Sequence, residues 1–230
     1  MSPTLPLEVW FIIFRFLDAT EMGIVAGVCR DWAAYLRTKR NGLPHWWTSL
    51  EKIIVSINLL KWARKSGCPW DEYICEYAAA AGQLECLRYA HENGCPWDSF
   101  SCDAASHGGH LDCLMYLHEN GCKLDQMASA LASHGGHLDC LKYAHENGCP
   151  WDRYTCEYAA KYGNLECLKY AYENGCVWDA RTCNSAAFNG NLKCLQYAHE
   201  NGCPWNVITF QSARRHPDCL LYVTQQGGLF

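Results

Sequence analysis

The chain has 230 residues, half of them apolar, and a formal charge of −5 from 19 Lys and Arg against 24 Asp and Glu. With that balance and no run of like charges, nucleic acid is not expected as the principal partner. The cysteine count of 17 is odd and the residues recur inside apolar helical patterns, so they read as reduced thiols of a cytosolic or nuclear protein, not as a disulfide framework.

The first apolar run, Val9 to Leu17, is broken by Arg15, preceded by Glu8, and lacks a basic leader or a small-residue cleavage site. It is expected to be neither a signal peptide nor a membrane span. Residues 5 to 50 instead show an ordered pattern: Leu5-Pro6-x-Glu8, Ile13-Phe14-x-x-Leu17, Val28-Cys29-Arg30-x-Trp32, then Trp47 to Leu50. Pro6 can open a helix where the amide has no partner in any case, and Val9, Ile13, Phe14 and Leu17 form an apolar stripe that needs a surface to cover it.

This set of motifs resembles an F-box. The resemblance implies docking on the small Skp-family adaptor subunit of cullin-RING ubiquitin ligases, and through it on a cullin, by Leu5, Pro6, Val9, Ile13, Val28 and Trp32. Phe14 and Leu17 belong either to that contact or to an internal core. The alternative is a plain helical cap, whose stripe is buried against the first repeat of the C-terminal part of the chain.

From Gly67 onward the chain repeats. Gly-Cys-x-x-Asp begins at Gly67, Gly94, Gly121, Gly148 and Gly175, with a variant ending in Asn206 at Gly202, each step being 27 residues. One unit, GCPWDSFSCDAASHGGHLDCLMYLHEN, predicts two short helices around a glycine-containing turn. Asp71, Asp98, Asp125, Asp152 and Asp179 stand where the first helix needs an N-cap. Ala78, Ala105, Ala132, Ala159 and Ala186 recur within that helix and allow close packing.

The second helix is expected from about His110 to Asn120, with Leu111 and Leu114 on one face and Cys113 beside them. Gly121 and its equivalents then stop the helix in a left-handed conformation. Pro69, Pro96, Pro150 and Pro204 prevent it from resuming, and the neighbouring Trp lets connectors stack. A single helix pair has too little core to fold alone, so the copies must stack into an α-solenoid.

Ala104 to Asp112, with Asn120-Gly121, resembles the ankyrin repeat. The family unit is about 33 residues, so each copy lacks the residues of the usual β-hairpin finger, and short turns are expected there. The CPWD-type form is similar to ankyrin proteins abundant in giant amoeba viruses, which would place the chain in a host's cytoplasm. Ser56 to Gly67 and Val207 to Gly227 are degenerate copies, giving about seven units with the outer two as caps. The expected protein is all-α: an F-box-like segment at 1–50 and an ankyrin-type repeat domain at 51–230, a monomer outside its complex.

Positions that differ between copies are not dictated by stacking and are free to bind. Two such sets precede the inter-helix glycine (Ala80-Ala81, His107-Gly108, His134-Gly135, Lys161-Tyr162, Phe188-Asn189) and open the first helix (Glu72-Tyr73, Ser99-Phe100, Gln126-Met127, Arg153-Tyr154, Ala180-Arg181). In ankyrin proteins both sets line the concave face, so the resemblance implies a target-binding groove of Tyr73, Phe100, Arg153, Tyr154, Lys161, Tyr162, Arg181 and Phe188. Aromatic and Arg side chains are favoured anchors at interfaces. The alternative for any one of them is an ordinary solvated face.

Cys102, His107, His110 and Cys113 suit zinc by residue type. The repeat argues otherwise: Cys113 recurs between leucines like a small buried hydrophobe, and His107 is replaced by Ala80, Lys161 or Phe188 in other copies. His91, His118, His145 and His199 precede Glu-Asn-Gly at a helix end, where an imidazolium meets the last carbonyls favourably. No nucleophile with a base, phosphate loop or acid pair stands outside the repeat. No catalytic residue, metal or cofactor is therefore expected. The expectation is an adaptor: the substrate-receptor subunit of a ubiquitin ligase that acts by proximity, or else a module that sequesters a target without ligase recruitment.

Overall fold

The structure is a computed structural model that describes residues 57, 60, 61, 64 and 72–227. The Leu5-Pro6 motif, the Val9 to Leu17 stripe, Val28 and Trp32 lie outside the described residues. The chain divides into two compact units, 1–101 and 102–230, and each is described by itself. Among the described residues there are twelve α-helices and no strand.

In the first unit, α1 (Glu72–Ala80) packs against α2 (Leu84–Glu92), and α3 (Ser99–Gly108) begins. The second unit continues α3 and holds α4 (Leu111–Glu119), α5 (Gln126–Gly135), α6 (Leu138–Glu146), α7 (Arg153–Tyr162), α8 (Leu165–Glu173), α9 (Ala180–Phe188), α10 (Leu192–Glu200), α11 (Val207–Ala213) and α12 (Pro217–Gln225). There the first helices of successive repeats pack in a row, α5 on α7 on α9 on α11, and the second helices in a parallel row, α4 on α6 on α8 on α10 on α12. Residues 102–227 thus form an α-solenoid, as the repeat predicts.

The local signals explain each element. Asp125, Asp152 and Asp179 cap α5, α7 and α9, accepting from the amides of Met127 at 2.8 Å, Thr155 at 3.2 Å and Arg181 at 2.8 Å. In the first unit Asp98 accepts from Phe100 N at 3.0 Å. Asn206, the departure from the Asp pattern, makes a full capping box with Thr209 on α11. Every second helix from α2 to α10 ends in a Gly with φ between 80° and 92°, from Gly94 to Gly202, where an L side chain would be strained.

The core is built from small groups. Ala105, Ala132, Ala159 and Ala186 are completely buried, which lets the first helices approach closely. On the second helices the buried set is Cys113, Leu114 and Leu117 and their equivalents. This corrects the expected Leu111–Leu114 face: Leu111 opens α4 and is half-buried, whereas Leu117, one turn beyond Cys113, is fully enclosed.

The repeats are also tied by polar ladders. Asn164, the residue just before α8, donates its amide to Ser133 O at 2.8 Å and His134 O at 2.9 Å in the preceding repeat. Asn191 does the same to Ala160 O at 2.9 Å and Lys161 O at 2.7 Å, and His216 Nε2 reaches Phe188 O at 3.0 Å. Carbonyls at the end of each first helix are thereby satisfied from the next repeat.

The expected stacking of connectors on one another is not what forms. Trp151 lies on His145, with centroids 4.2 Å apart, and Tyr170 of the next repeat meets both rings edge-on. Trp178 on Tyr172 and Trp205 on His199 repeat the arrangement. Each of these connector Trp side chains packs back on the second helix that precedes it, with a Pro before it at Trp151 and Trp205 and Val177 before it at Trp178.

Candidate protein-binding face

In the second unit, the row of first helices carries six of the eight sequence-selected residues together with several others. Arg153 and Arg181 are exposed, Tyr162 and Phe188 are each 46% exposed, and Tyr154 and Lys161 are half-buried. They form two connected groups. On α7, the Arg153 guanidinium sits 5.1 Å from the Tyr154 ring centroid and donates to its hydroxyl at 3.3 Å. Tyr154 neighbours Tyr158 at 5.7 Å, and Tyr158 neighbours Tyr162 at 6.4 Å. The Lys161 ammonium lies 5.0 Å from the Tyr162 ring, and His134 of α5 meets Tyr162 edge-on at 3.9 Å. His107 in turn stacks on His134 at 4.7 Å.

Beyond α7 lies a cavity of about 260 Å³ lined by Glu157, Lys161, Asn184, Ser185, Phe188, Asn189 and Ser212, from α7, α9 and α11. The Arg215 guanidinium lies 4.5 Å from the centroid of the Phe188 ring. Ser185 donates weakly to Glu157 Oε1 at 3.5 Å, while Glu157 Oε2 is buried with no hydrogen-bond partner. Burial, then the charges of His107 and Lys161, hold His134 below the ordinary imidazole range.

Of the sequence-selected residues, the second unit brings Lys161 and Phe188 to one cavity and Arg153, Tyr154 and Tyr162 to one α7 face. Arg181 stands at the exposed start of α9. Tyr73 and Phe100 belong to the first unit, 53% and 62% exposed. Sequence reasoning missed Glu157, Tyr158, Asn184 and Arg215. The first three occupy a third set that varies between copies (Glu76-Tyr77, Asp103-Ala104, Ala130-Leu131, Glu157-Tyr158, Asn184-Ser185), so the same comparison between copies could have found them.

The other chemistries resolve differently. Cys102 donates to Cys122 Sγ at 2.6 Å, and His107 is engaged with His134. Among the described residues no group of three or more His, Cys, Asp or Glu could hold a metal ion. The helix-end histidines are aromatic partners of Trp and Tyr: His118 and His199 bond through Nδ1 with the Tyr143 and Tyr222 hydroxyls at 3.0 and 2.9 Å. Burial pushes His199 below the usual imidazole range. Packing against Trp205 and Tyr222 thus works against the imidazolium expected at this helix end.

Residues 156–199 match the ankyrin repeat family (many copies), and residues 2–39 match the F-box-like family. The crystal structure of the human ASB11 ankyrin repeat domain is similar at a TM-score of 0.58 and 20% identity, covering 66% of this chain and 83% of that one. The fold is that of ankyrin repeats. A search of the curated proteins gives no match. Both matched families are protein-interaction modules, so the chain reads as an interaction adaptor in which the row of first helices is the candidate face. No helix among the described residues is long and apolar enough to cross a membrane.

Proposed function

We propose that this chain is the substrate-receptor subunit of a cullin-RING ubiquitin ligase, divided into a docking segment at 1–50 and a repeat domain at 51–230. Leu5, Pro6, Val9, Ile13, Val28 and Trp32 dock a Skp-family adaptor and through it a cullin. The repeats hold the target along Tyr73, Phe100, Arg153, Tyr154, Lys161, Tyr162, Arg181 and Phe188. The work is positional: target lysines are held near a ubiquitin-loaded enzyme supplied in trans, which raises their effective concentration.

The observation that supports this reading is the F-box-like match at 2–39 on the same chain as a repeat stack. The cations Arg153, Lys161, Arg181 and Arg215, set among aromatics, suit a target segment that carries carboxylates. Ligase recruitment places the protein in the cytosol or nucleus, which in a viral setting is the host's. The test is capture of purified Skp-family adaptor by the full chain, compared with a Leu5→Ala, Pro6→Ala, Ile13→Ala variant. Binding that is lost in the variant supports the reading; no binding by a folded wild type leaves a sequestering repeat protein.

A further inference from the structure

Two sets of cysteines run through the second unit, and they are chemically unlike. Cys113, Cys140, Cys167 and Cys194 sit on the second helices between leucines, and burial pushes their thiols up, to about 12, 11, 12 and 11. Nothing in that setting favours a thiolate, so these four are packing residues.

The other set is paired at a spacing of 20 residues, one member on the first helix and one in the connector of the following repeat. Cys102 Sγ lies 2.6 Å from Cys122 Sγ, against about 2.05 Å in a formed bridge. Cys156 and Cys176, and Cys183 and Cys203, occupy the equivalent positions of later repeats, and Cys183 Sγ lies 3.9 Å from the Cys203 carbonyl oxygen. The connector sulfur is held from its other side as well, since Cys176 and Cys203 donate to the carbonyls of Asp152 and Asp179 at 3.3 and 3.2 Å. The hydrogen bond from the partner raises the donor thiols Cys156 and Cys183 and lowers the acceptor thiols Cys176 and Cys203.

One repeat breaks the pattern. Ser129 occupies the first-helix position opposite Cys149, and its hydroxyl is 2.9 Å from Cys149 Sγ. The same backbone therefore holds a pair that cannot be bridged, an internal control.

We propose that Cys102–Cys122, Cys156–Cys176 and Cys183–Cys203 are modification sites at which a peroxide closes intra-repeat disulfides in a resting, fully reduced stack. One thiol of the pair, once ionised, attacks the peroxide oxygen, giving a sulfenic acid and releasing water after protonation. The partner thiol then displaces the second oxygen as water and forms the S–S bond. Two thiols and one hydrogen peroxide become one disulfide and two waters, with the sulfurs oxidised and the peroxide reduced. Each bridge would pin the start of a first helix to the connector behind it, beneath the face that carries Arg153 and Tyr154.

The experiment treats the reduced, folded full chain with hydrogen peroxide, blocks remaining thiols with N-ethylmaleimide and maps linkages by mass spectrometry. Within residues 102–230 three bridges are expected, with Cys149 and the five second-helix cysteines Cys113, Cys140, Cys167, Cys194 and Cys219 alkylated. Ser129→Cys should add a fourth bridge to Cys149. The urea midpoint of the oxidised chain should rise and return on addition of dithiothreitol. Alkylated pairs after oxidation, linkages that join other sulfurs of residues 102–230 equally often, or bridges that form only in denaturant would each overturn the proposal.

Discussion

Trp178 lies flat on Tyr172, with ring centroids 3.7 Å apart and planes inclined by 6°. Tyr197 of the following repeat closes the edge of the pair at 6.2 Å, and Trp151 in the preceding repeat adds a bond from its indole nitrogen to Asn174 O at 3.0 Å. These contacts join successive repeats where the ankyrin family usually has a hairpin finger. A shortened repeat keeps its neighbour through aromatic stacking in place of strand pairing.

Trp151→Ala should therefore destabilise the stack although the residue is only half-buried. The loss is expected at about 2 kcal/mol, roughly half the cost of emptying a fully buried aromatic site. Urea unfolding followed by circular dichroism measures it, and Trp151→Phe, which keeps the stack on His145 but not the bond to Asn174, should cost less.

The ladder before each second helix predicts a graded effect. Asn191→Ala leaves the Ala160 and Lys161 carbonyls without their donor and should cost about 1–3 kcal/mol. Asn191→Asp should cost more, since a carboxylate faces two carbonyl oxygens. Equal denaturation midpoints for wild type and Asn191→Asp would rule the ladder out as a stabilising feature.

Much of this is legible in the sequence, for identifiable reasons. Repeat length, the Asp N-caps and the left-handed glycines are local signals, and each copy restates them. Spacing alone places the buried Cys113–Leu114–Leu117 set one turn early, because a nine-residue helix gives too few apolar positions to fix its face. The Asn164 and Asn191 ladders escape sequence reading, since they join residues 30 and 31 apart and no periodicity within one helix encodes them. Glu157 and Tyr158 are missed when two variable sets are compared instead of three.

Glycine positions separate strain from crowding. Gly148 has φ +82° with nothing within 4 Å of an added Cβ, whereas at Gly136, with φ +78°, a Cβ would lie 2.7 Å from Asn164 Oδ1. Gly148→Ala should cost about 1–2 kcal/mol from the left-handed backbone alone. Gly136→Ala should cost more because it also pushes the Asn164 amide off its two carbonyls. Thermal denaturation of the two variants side by side decides the order.

Stability should also fall as the solution becomes acidic. Burial lowers His134, His137 and His199 from the ordinary 6.5. Above that value both states are neutral there; as pH falls through it, the unfolded chain takes up protons that the folded one resists, so stability is lost. Urea midpoints at pH 7.5 and 5.5 should differ in that direction, allowing for carboxylates that titrate lower. The variant His134→Ala, His137→Asn, His199→Tyr, each substitution taken from another copy of the repeat (Ala80, Asn164, Tyr172), should show a smaller difference.

The central claim is that docking and target holding are carried by separate parts of the chain. The direct measurement is calorimetric titration of purified Skp-family adaptor into the full chain, into the Leu5→Ala, Pro6→Ala, Ile13→Ala variant and into a Lys161→Ala, Tyr162→Ala, Phe188→Ala variant. The account predicts saturable binding by wild type, loss in the first variant and unchanged affinity in the second. No binding by folded wild type, or loss on changing Lys161, Tyr162 and Phe188 with the fold intact, would contradict it.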